Sequence, residues 1–185
     1  MASRPIYQFY AELTDYKPRM WRRFQIVDNV SMAKLGYVVM TMFEMDASHL
    51  FCIEVPKGEN MQKELRKWMT EKEMRRDYDE DELTETLRYE VQDEETQWDE
   101  TSRDAVRTLL YRVISEIGEK LYFYYDFGDG WEVTLLLEAV IVDKELPARE
   151  LPRVLEGEGF GIVVDCGGPG GLMELAEVFE AKQGE

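Results

Sequence analysis

The 185-residue chain is poor in the residues that build metal centres and disulfide frameworks. It has two cysteines, Cys52 and Cys166, far apart in the sequence, and a single histidine, His49. One chain therefore cannot supply a four-cysteine zinc site or a site with several histidines. Two cysteines outside any C-x-x-C pair are typical of free thiols in a reducing compartment, and one disulfide between them is the alternative.

A long apolar segment is also lacking. No run approaches the roughly 20 apolar residues that a helix needs to cross a bilayer. Residues 1–5 lead directly into a patterned stretch, with neither the apolar run nor the cleavage site of a secretory signal. We therefore expect a cytoplasmic protein with no membrane partner.

Basic residues are scarce relative to acidic ones. The chain has 22 lysines and arginines against 39 aspartates and glutamates, which gives a net charge of −17. Such a surface repels phosphate groups, and this argues against direct nucleic-acid binding. Charge of this sign usually serves solubility. A cationic partner and mimicry of a nucleic acid are the more specific interpretations.

Hydrophobic residues make up 44% of the chain, enough for a core. Residues 6–13 and 20–27 are rich in aromatic and β-branched side chains and flank a turn at Pro18, which predicts an antiparallel pair. Apolar residues at helical spacing predict a central helix over 32–45, and residues 48–55 predict a third strand.

The last part of the chain shows a similar alternation of element types. A capping box at residues 101–104 precedes a helical pattern, which predicts a helix over 105–117. Residues 121–125 and 131–142 predict a hairpin, and residues 172–181 a closing helix. Residues 146–158 are expected to be irregular. The sequence thus predicts one α+β domain over the whole chain, with helices against an antiparallel or mixed sheet.

The middle of the chain interrupts this pattern with charge. Residues 71–100 contain 14 acidic and 4 basic residues, a net charge near −10. Because like charges repel, we expect a solvated excursion over about residues 59–101, loosely packed on the domain, with an amphipathic helix over 60–69.

The segment from Asp126 to Trp131, Asp-Phe-Gly-Asp-Gly-Trp, is the main candidate site. Its two carboxylates, Asp126 and Asp129, are candidate ligands for a hard cation such as Mg²⁺ or Ca²⁺. The same residues are what a hairpin turn requires, since glycine permits positive φ and aspartate accepts hydrogen bonds from local N–H groups. The turn is our favoured interpretation.

Further candidates lie outside this segment. Trp21 and Arg22 follow a proline turn, and we favour an ion pair between an arginine there and Asp126, Asp129 or Asp165 over bidentate binding of an anionic ligand. His49 is a candidate general base, with a purely structural role favoured. Cys166 precedes two glycines, whose N–H groups could lower its pKa, but a buried structural thiol is favoured.

Five short segments occur in a fixed order along the chain: Lys-Pro-Arg-Met-Trp-Arg-Arg at 17–23, Ser-His-Leu at 48–50, Tyr-Asp-Phe-Gly-Asp-Gly-Trp at 125–131, Gly-Glu-Gly at 157–159 and Asp-Cys-Gly-Gly-Pro-Gly-Gly at 165–171. In this order they resemble the plasmid pRiA4b ORF-3-like family, over most of the chain except about residues 59–101. The resemblance implies an α+β domain and an association with plasmids or transposases.

The chain departs from that family at several positions. Members often carry histidines where Gly36, Phe51 or Cys52, and Val133 stand here, and a glutamate where Val164 stands. A histidine-lined metal centre, if the family has one, would therefore be largely lost.

We expect His49, the turn at 126–131 and the loop at 165–171 to form one concave site beside Trp21 and Arg22. Our first hypothesis is a non-enzymatic binding or interaction module with a protein or small-ligand partner, serving a plasmid or transposon. It predicts no cofactor and leaves a divalent metal open. The alternatives are a metal-assisted hydrolase that uses Asp126, Asp129 or Asp165, and an acidic mimic of nucleic acid.

Overall fold

The structure of the protein, a computed structural model, describes residues 4–92 and 101–183. Within these ranges a single sheet contains eight strands: β1 Ile6–Leu13, β2 Trp21–Val27, β3 Phe51–Val55, β4 Leu87–Glu90, β5 Arg103–Asp104, β6 Lys120–Tyr125, β7 Trp131–Ile141 and β8 Arg153–Glu158. Their spatial order is β5-β4-β3-β6-β7-β1-β2-β8. Neighbours run antiparallel, except that β4 and β5 are parallel, so the sheet is mixed.

The described helices are α1 Met32–Met42, α2 Lys57–Leu65, α3 Glu71–Asp77, α4 Glu80–Thr84 and α5 Gly168–Gln183. Two 3-10 turns cover Leu110–Arg112 and Ala148–Glu150. At the start of α1, Ser31 Oγ accepts a hydrogen bond from the Lys34 N–H, which satisfies one of the free donors of the first turn. Among the described residues, the structure has no helix of the length and apolar character that a membrane span requires.

One face of the sheet carries the core. Alternate residues of the central strands point to this face because side chains alternate along a strand. They pack with α1 in one cluster that includes Phe9, Ala11, Leu13, Leu35, Val39, Val133, Leu135 and Leu137. The other face carries ion pairs between strands. Arg88 of β4 pairs with Glu54 of the neighbouring β3 at 3.0 Å, and Arg23 of β2 reaches across β1 to Glu138 of β7 at 2.6 Å.

The predicted α+β class with a mixed sheet is confirmed. The first antiparallel pair, the central helix, the third strand and the hairpin at β6 and β7 all form close to their predicted bounds. The closing helix is longer than predicted, because it begins at Gly168 instead of residue 172.

The predicted helix over 105–117 is wrong, and so is its capping box. In the structure this segment contains only the 3-10 turn and an isolated bridge between Ser31 and Leu109. Its carbonyl groups accept hydrogen bonds from the first turn of α1, at Met32 and Ala33. The segment therefore supplies the acceptors that the first N–H groups of α1 lack within the helix. These tertiary hydrogen bonds hold it in a non-helical conformation, although its apolar residues have helical spacing.

The irregular structure predicted for residues 146–158 is wrong at its end, because β8 pairs with β2. The loose excursion predicted for about 59–101 is likewise wrong where β4 pairs with β3 and buries Tyr89. Its acids serve local structure: Glu73 and Glu82 complete the capping boxes of α3 and α4. The acidic peak at residues 93–95 lies outside the described residues.

Candidate metal centre

Three side chains from distant parts of the chain meet at one end of the sheet. His49 lies in the loop before β3, Asp126 follows β6, and Asp165 precedes α5. His49 Nε2 is 3.6 Å from Asp126 Oδ2 and 3.4 Å from Asp165 Oδ1. One ligand atom from each residue lies within 4.8 Å of the other two. The antiparallel pairing of β3 with β6 brings the first two together, because it sets Phe51 opposite Tyr125.

Asp126 serves the turn and the cluster at the same time. Its Oδ1 accepts hydrogen bonds from the N–H groups of Gly128 at 3.1 Å and Asp129 at 3.4 Å. Its own N–H donates to the Leu50 carbonyl at 3.1 Å, which ties the turn to the residue after His49. The backbone is left-handed there, with φ of 51°. Oδ1 is thus occupied by the turn, and Oδ2 is the oxygen that approaches His49.

A second set of contacts orients His49. Its ring packs edge to face on Tyr125, with centroids 5.7 Å apart. The Tyr125 hydroxyl donates to Asp46 Oδ1 at 2.8 Å, and the N–H and hydroxyl of Ser48 donate to the same oxygen. These bonds, led by that of the Ser48 hydroxyl, lower the pKa of Asp46 to about 2. The loop that carries His49 is therefore held by an ionised carboxylate.

The glycine-rich segment at 165–171, predicted as a loop and hereafter called the glycine-rich loop, docks directly on the Asp126 turn, and its last four residues form the start of α5. The Gly167 N–H donates to Asp129 Oδ2 at 3.3 Å. A Cβ atom at Gly168, where φ is +71°, would lie 2.2 Å from the Asp129 carbonyl oxygen. Only glycine permits this approach in that conformation. Asp165, at the start of the loop, is also left-handed, with φ of 58°, and its side chain is 80% exposed.

Two of the separations in the cluster match those between ligand atoms that share a divalent cation. Separations of 3.4 and 3.6 Å between His49 and the two carboxylates are long for hydrogen bonds. Ligand atoms that bind a tetrahedral zinc ion at about 2.0–2.2 Å are roughly 3.3–3.6 Å from one another. One imidazole and two carboxylates suit Zn²⁺ or Mn²⁺. A site with three protein ligands leaves a coordination position for water or a ligand.

The structure thus groups three of the predicted residues and gives the others different roles. Asp129, the second candidate metal ligand, lies outside the cluster and binds the glycine-rich loop. Cys166 donates weakly to the Gly168 carbonyl, and burial raises the pKa of its thiol, which argues against a reactive thiolate. Trp131 is fully buried, and its indole N–H has no hydrogen-bond partner in the part of the chain that the structure describes.

The ion pair predicted for the arginines after Trp21 is wrong. Arg22 donates to the carbonyl groups of Trp21 at 2.8 Å, Glu158 at 2.6 Å and Gly159 at 3.0 Å, and also to that of Phe160. Its guanidinium therefore fixes the chain just after β8. Three of these carbonyl groups belong to the consecutive residues 158–160, and a planar group with five N–H donors can bind them together.

Trp21 and Arg23 lie on the opposite face of the sheet. Trp21 stacks on Tyr10 with centroids 5.3 Å apart and donates to Glu158 at 3.2 Å. Arg23 pairs with Glu138 and Glu156, each at 2.6 Å. Glu156 lies directly opposite Arg23 on β8, and Glu138 lies on β7, beyond β1. The acids that pair with the arginine are thus on strands of the sheet and are not the aspartates of the loops.

Sequence reasoning missed the supporting residues Asp46 and Tyr125. The signal for Asp46 was a serine two residues later, since Asp-x-Ser is typical of an aspartate that accepts local N–H and hydroxyl bonds. The structure also explains Gly36: a Cβ there would lie 2.3 Å from the Phe51 ring, so the ring fills the space beside the helix. With Phe51 and Val133 buried, the cluster depends on one histidine and two carboxylates.

Fold and site together define an α+β domain with a mixed sheet and a cluster of one histidine and two carboxylates at the end of that sheet. The chain belongs to the family described as plasmid pRiA4b ORF-3-like protein, which matches residues 5–185.

Two individual proteins are also similar to this chain. The chain is 36% identical over 84 residues to the uncharacterized protein y4hQ of Sinorhizobium fredii, a match that covers 44% of this chain and only 41% of that protein. It also resembles the crystal structure of MM3350 from Methanosarcina mazei Go1, a protein of unknown function, with a TM-score of 0.71 and 18% identity. That likeness covers 95% of this chain and 82% of the other, and it shows the shared fold.

Proposed function

We propose that the protein is a binding module that holds a divalent cation on His49, Asp126 and Asp165 and presents it to an anionic group of a ligand. The observation that carries this proposal is the meeting of three donor atoms within 4.8 Å of one another. The open coordination position would take a carboxylate or phosphate oxygen. Ligand binding would then depend on the cation.

The electrostatics of the site support a cation. Two carboxylates and a neutral imidazole together carry a charge of about −2, which one divalent ion neutralises. Asp126 is only 8% exposed, and a buried carboxylate is costly unless it is paired. Two N–H groups satisfy its Oδ1, whereas among the described residues Oδ2 has His49, at 3.6 Å, as its polar neighbour. A cation between them would supply the missing partner. The net charge of −17 also attracts cations to the surface.

The test is a thermal-shift and calorimetric titration of chelator-treated protein with Zn²⁺, Mn²⁺, Mg²⁺ and Ca²⁺. We expect Zn²⁺ to bind best. At 100 times the dissociation constant, an ion adds about 2.7 kcal/mol to the free energy of unfolding, which is roughly 5–10 °C in Tm for a chain of this size. Asp126→Asn and His49→Ala are expected to abolish the shift.

Asp129→Asn is the matched control, because it removes a neighbouring negative charge while its amide oxygen can still accept the Gly167 N–H bond that docks the loop. It is expected to keep the zinc-dependent shift. An equal shift in the Asp126→Asn variant, or no shift of the parent protein with any of the four ions, would contradict the proposal.

A metal-assisted hydrolase is the second candidate function. It is favoured by three protein ligands with one position left open, which is the pattern of catalytic zinc sites. When bound, the ion would supply a Lewis acid beside the exposed Asp165. Zinc-dependent hydrolysis of activated esters or phosphate esters, lost in Asp126→Asn, would establish it. Ion binding without turnover on these substrates would leave the binding module in place.

We further place this binding role in the cytoplasm and in the service of a plasmid or transposon, with a protein or small molecule as the ligand. The family description, which names a plasmid reading frame, supports the second point. The excess of acids argues against direct nucleic-acid contact.

A further inference from the structure

Strand β8, Arg153–Glu158, forms one edge of the sheet and has all six of its residues exposed. It includes Val154 and Leu155, which are 51% and 40% exposed. One side of β8 pairs with β2, and the other side faces away from the sheet in the described structure. An edge strand presents a row of N–H and C=O groups that can pair with another chain. At the opposite edge, β5 has only two residues.

We propose that β8 pairs antiparallel with β8 of a second copy of the chain, about a twofold axis perpendicular to the sheet. The sequence of the strand is self-complementary in this arrangement. With the axis between Leu155 and Glu156, Arg153 of each copy lies opposite Glu158 of the other, and Val154 lies opposite Gly157. Each end of this pair of strands, the seam between the two copies, would thus have one attractive pair of opposite charges.

The faces of the strand agree with this register. Arg153 lies opposite Gln25 and donates to it at 3.0 Å. Glu158 lies opposite Trp21 and accepts from its indole at 3.2 Å. Both therefore occupy the outer face of the sheet. Residues directly opposite in an antiparallel pair share a face, so this register brings outer residues to outer ones.

A shift of the register by one residue would break this agreement. It would set Arg153, on the outer face, against Gly157, which pairs with Arg22 and lies on the inner face. The register also shifts between Arg23 and Phe24, where Leu155 is the extra residue of the edge strand. The proposed axis places this irregularity at the centre of the seam, in both copies alike.

A groove beside β8 adds apolar surface to the seam. On the inner face, a cavity of about 360 Å³ lies between α1 and β8, lined in part by Tyr37, Val38, Met42 and Val154. Tyr37 is 46% exposed on the side of α1 that borders this groove. The twofold axis would bring two such grooves side by side on the same face. A seam of six residues with this apolar margin is small, so we expect a weak, concentration-dependent dimer.

Charge complementarity favours a second copy over an unrelated extended peptide. Glu156 and Glu158 make the edge acidic, and Glu156 is already paired with Arg23 at 2.6 Å. An opposing cation is the favourable partner for Glu158 across a strand pair, and Arg153 of a second copy supplies one in the favoured register. Like charges directly opposite each other would be destabilising.

The test is sedimentation equilibrium of the full chain with a chelator present, over protein concentrations from about 1 to 200 µM, the range in which weak dimers form. The chelator separates this result from the proposed cation site. The parent protein is expected to dimerise within this range. Glu158→Arg and Arg153→Glu each replace two attractive pairs by repulsive ones and should weaken the dimer about tenfold.

An equimolar mixture of these two single variants is the decisive sample. In a mixed dimer, both end pairs again join opposite charges, so the mixture should dimerise about tenfold more tightly than either variant alone. The double variant Arg153→Glu with Glu158→Arg should also regain the dimer. Arg149→Glu, which makes the same charge change in the 3-10 turn before β8, should leave dimerisation unchanged.

Monomeric parent protein at every concentration would overturn the proposal. So would single variants that dimerise like the parent, or a mixture that stays monomeric. Circular dichroism checks that each variant is folded, because Arg153 and Glu158 also bond to Gln25 and Trp21. If one single variant fails to fold, the double variant decides: a double variant that remains folded and monomeric would equally reject the pairing.

Discussion

At the scale of single residues, Asp126 shows how one carboxylate can satisfy a turn and still face a site. Its Oδ1 accepts the N–H groups of Gly128 and Asp129, and its Oδ2 approaches His49. The structural and the metal-binding interpretations of this segment are therefore compatible. Asp46 has a simpler role, since its bonds to Ser48 and Tyr125 hold the loop before His49.

The low pKa of Asp46 leads to a pH prediction. Its pKa is about 2 in the folded chain, below the ordinary value of 3.8. A carboxylate with a lowered folded pKa contributes stability that is fully present above its unfolded pKa and is lost as the pH falls through the folded one. The difference in free energy of unfolding between the parent and Asp46→Asn should thus be constant from about pH 7 to 5 and shrink below about pH 4.

Urea unfolding at stepped pH values measures this difference. Ser48→Ala is the companion variant, because it removes the hydroxyl bond that is the largest cause of the lowered pKa. It should keep Asp46 ionisable and flatten the pH dependence. A parent–variant difference that stays constant down to pH 3 would show that the Asp46 contacts do not stabilise the ionised form.

At the same scale, the sequence was enough to name His49, Asp126 and Asp165 as candidates, but not to separate them from Asp129 or Arg22. The turn chemistry of Asp126 is local and therefore visible in the sequence. Whether Asp126 or Asp129 faces His49 depends on the strand register and on a loop from the far end of the chain. Tyr125 and Asp46 act through a contact between distant segments, and such contacts leave little trace in the sequence.

At the scale of elements, the C-terminal segment reaches the site by docking one loop on another. The loop at 165–171 contacts the Asp126 turn through backbone atoms, with Gly168 against the Asp129 carbonyl and the Gly167 N–H on the Asp129 carboxylate. This contact positions both Asp165 and the start of α5. The cluster of three ligands is therefore assembled only when the two loops are docked.

Gly168→Ala is expected to disrupt this docking. The new Cβ would lie 2.2 Å from a backbone oxygen, at a residue with φ of +71°. The two effects together should lower the free energy of unfolding by about 2–4 kcal/mol, measured by urea unfolding. The zinc-dependent shift should also weaken, because Asp165 would be displaced.

Gly170→Ala is the matched control two residues later. A Cβ at Gly170 would meet no atom within 4 Å, and this residue lies in the first turn of α5. We expect a neutral or slightly stabilising effect of up to about 1 kcal/mol, because alanine is the better helix former. Equal losses of stability in the two variants would contradict the docking contact as the cause.

The elements that sequence patterns predicted correctly are those with their own periodicity. Strands β1, β2 and β7 and helix α1 have clear apolar alternation or helical spacing. The segment over 105–117 has helical spacing as well, but its carbonyl groups are needed by the first turn of α1. All residues of strand β8 are exposed, so its sequence lacks the apolar alternation that predicts a strand. The segment becomes a strand because it pairs with β2.

At the scale of the whole molecule, the acidic excess is distributed over local structure. Glu73 and Glu82 cap helices, and Glu54 and Glu90 pair with Arg88. These described acids stabilise local structure, and they therefore give no support to the hypothesis that the protein mimics nucleic acid. The imbalance of 39 acids against 22 bases nevertheless leaves a net repulsion within the folded chain.

This repulsion predicts that salt stabilises the protein at neutral pH. Raising the ionic strength from about 0.01 to 0.15 M shortens the screening length from roughly 30 to 8 Å. With a net charge of −17, the Tm at pH 7 should rise by a few degrees, measured by calorimetry with NaCl and a chelator present. Near the isoelectric point, at about pH 4.5, the rise should vanish. A fall in Tm with salt at pH 7 would mean that the ion pairs outweigh the repulsion.

The strand order has a consequence for folding during protein synthesis. Strand β1 pairs with β7, joining Ile6 to Ile141, and β2 pairs with β8, joining Trp21 to Glu158. Contacts between such distant residues slow folding, because a long loop must close before they form. As the chain leaves the ribosome, its first hairpin therefore has two open edges until residues 131–158 have been made. Folding of this sheet ends only after most of the protein has been synthesised.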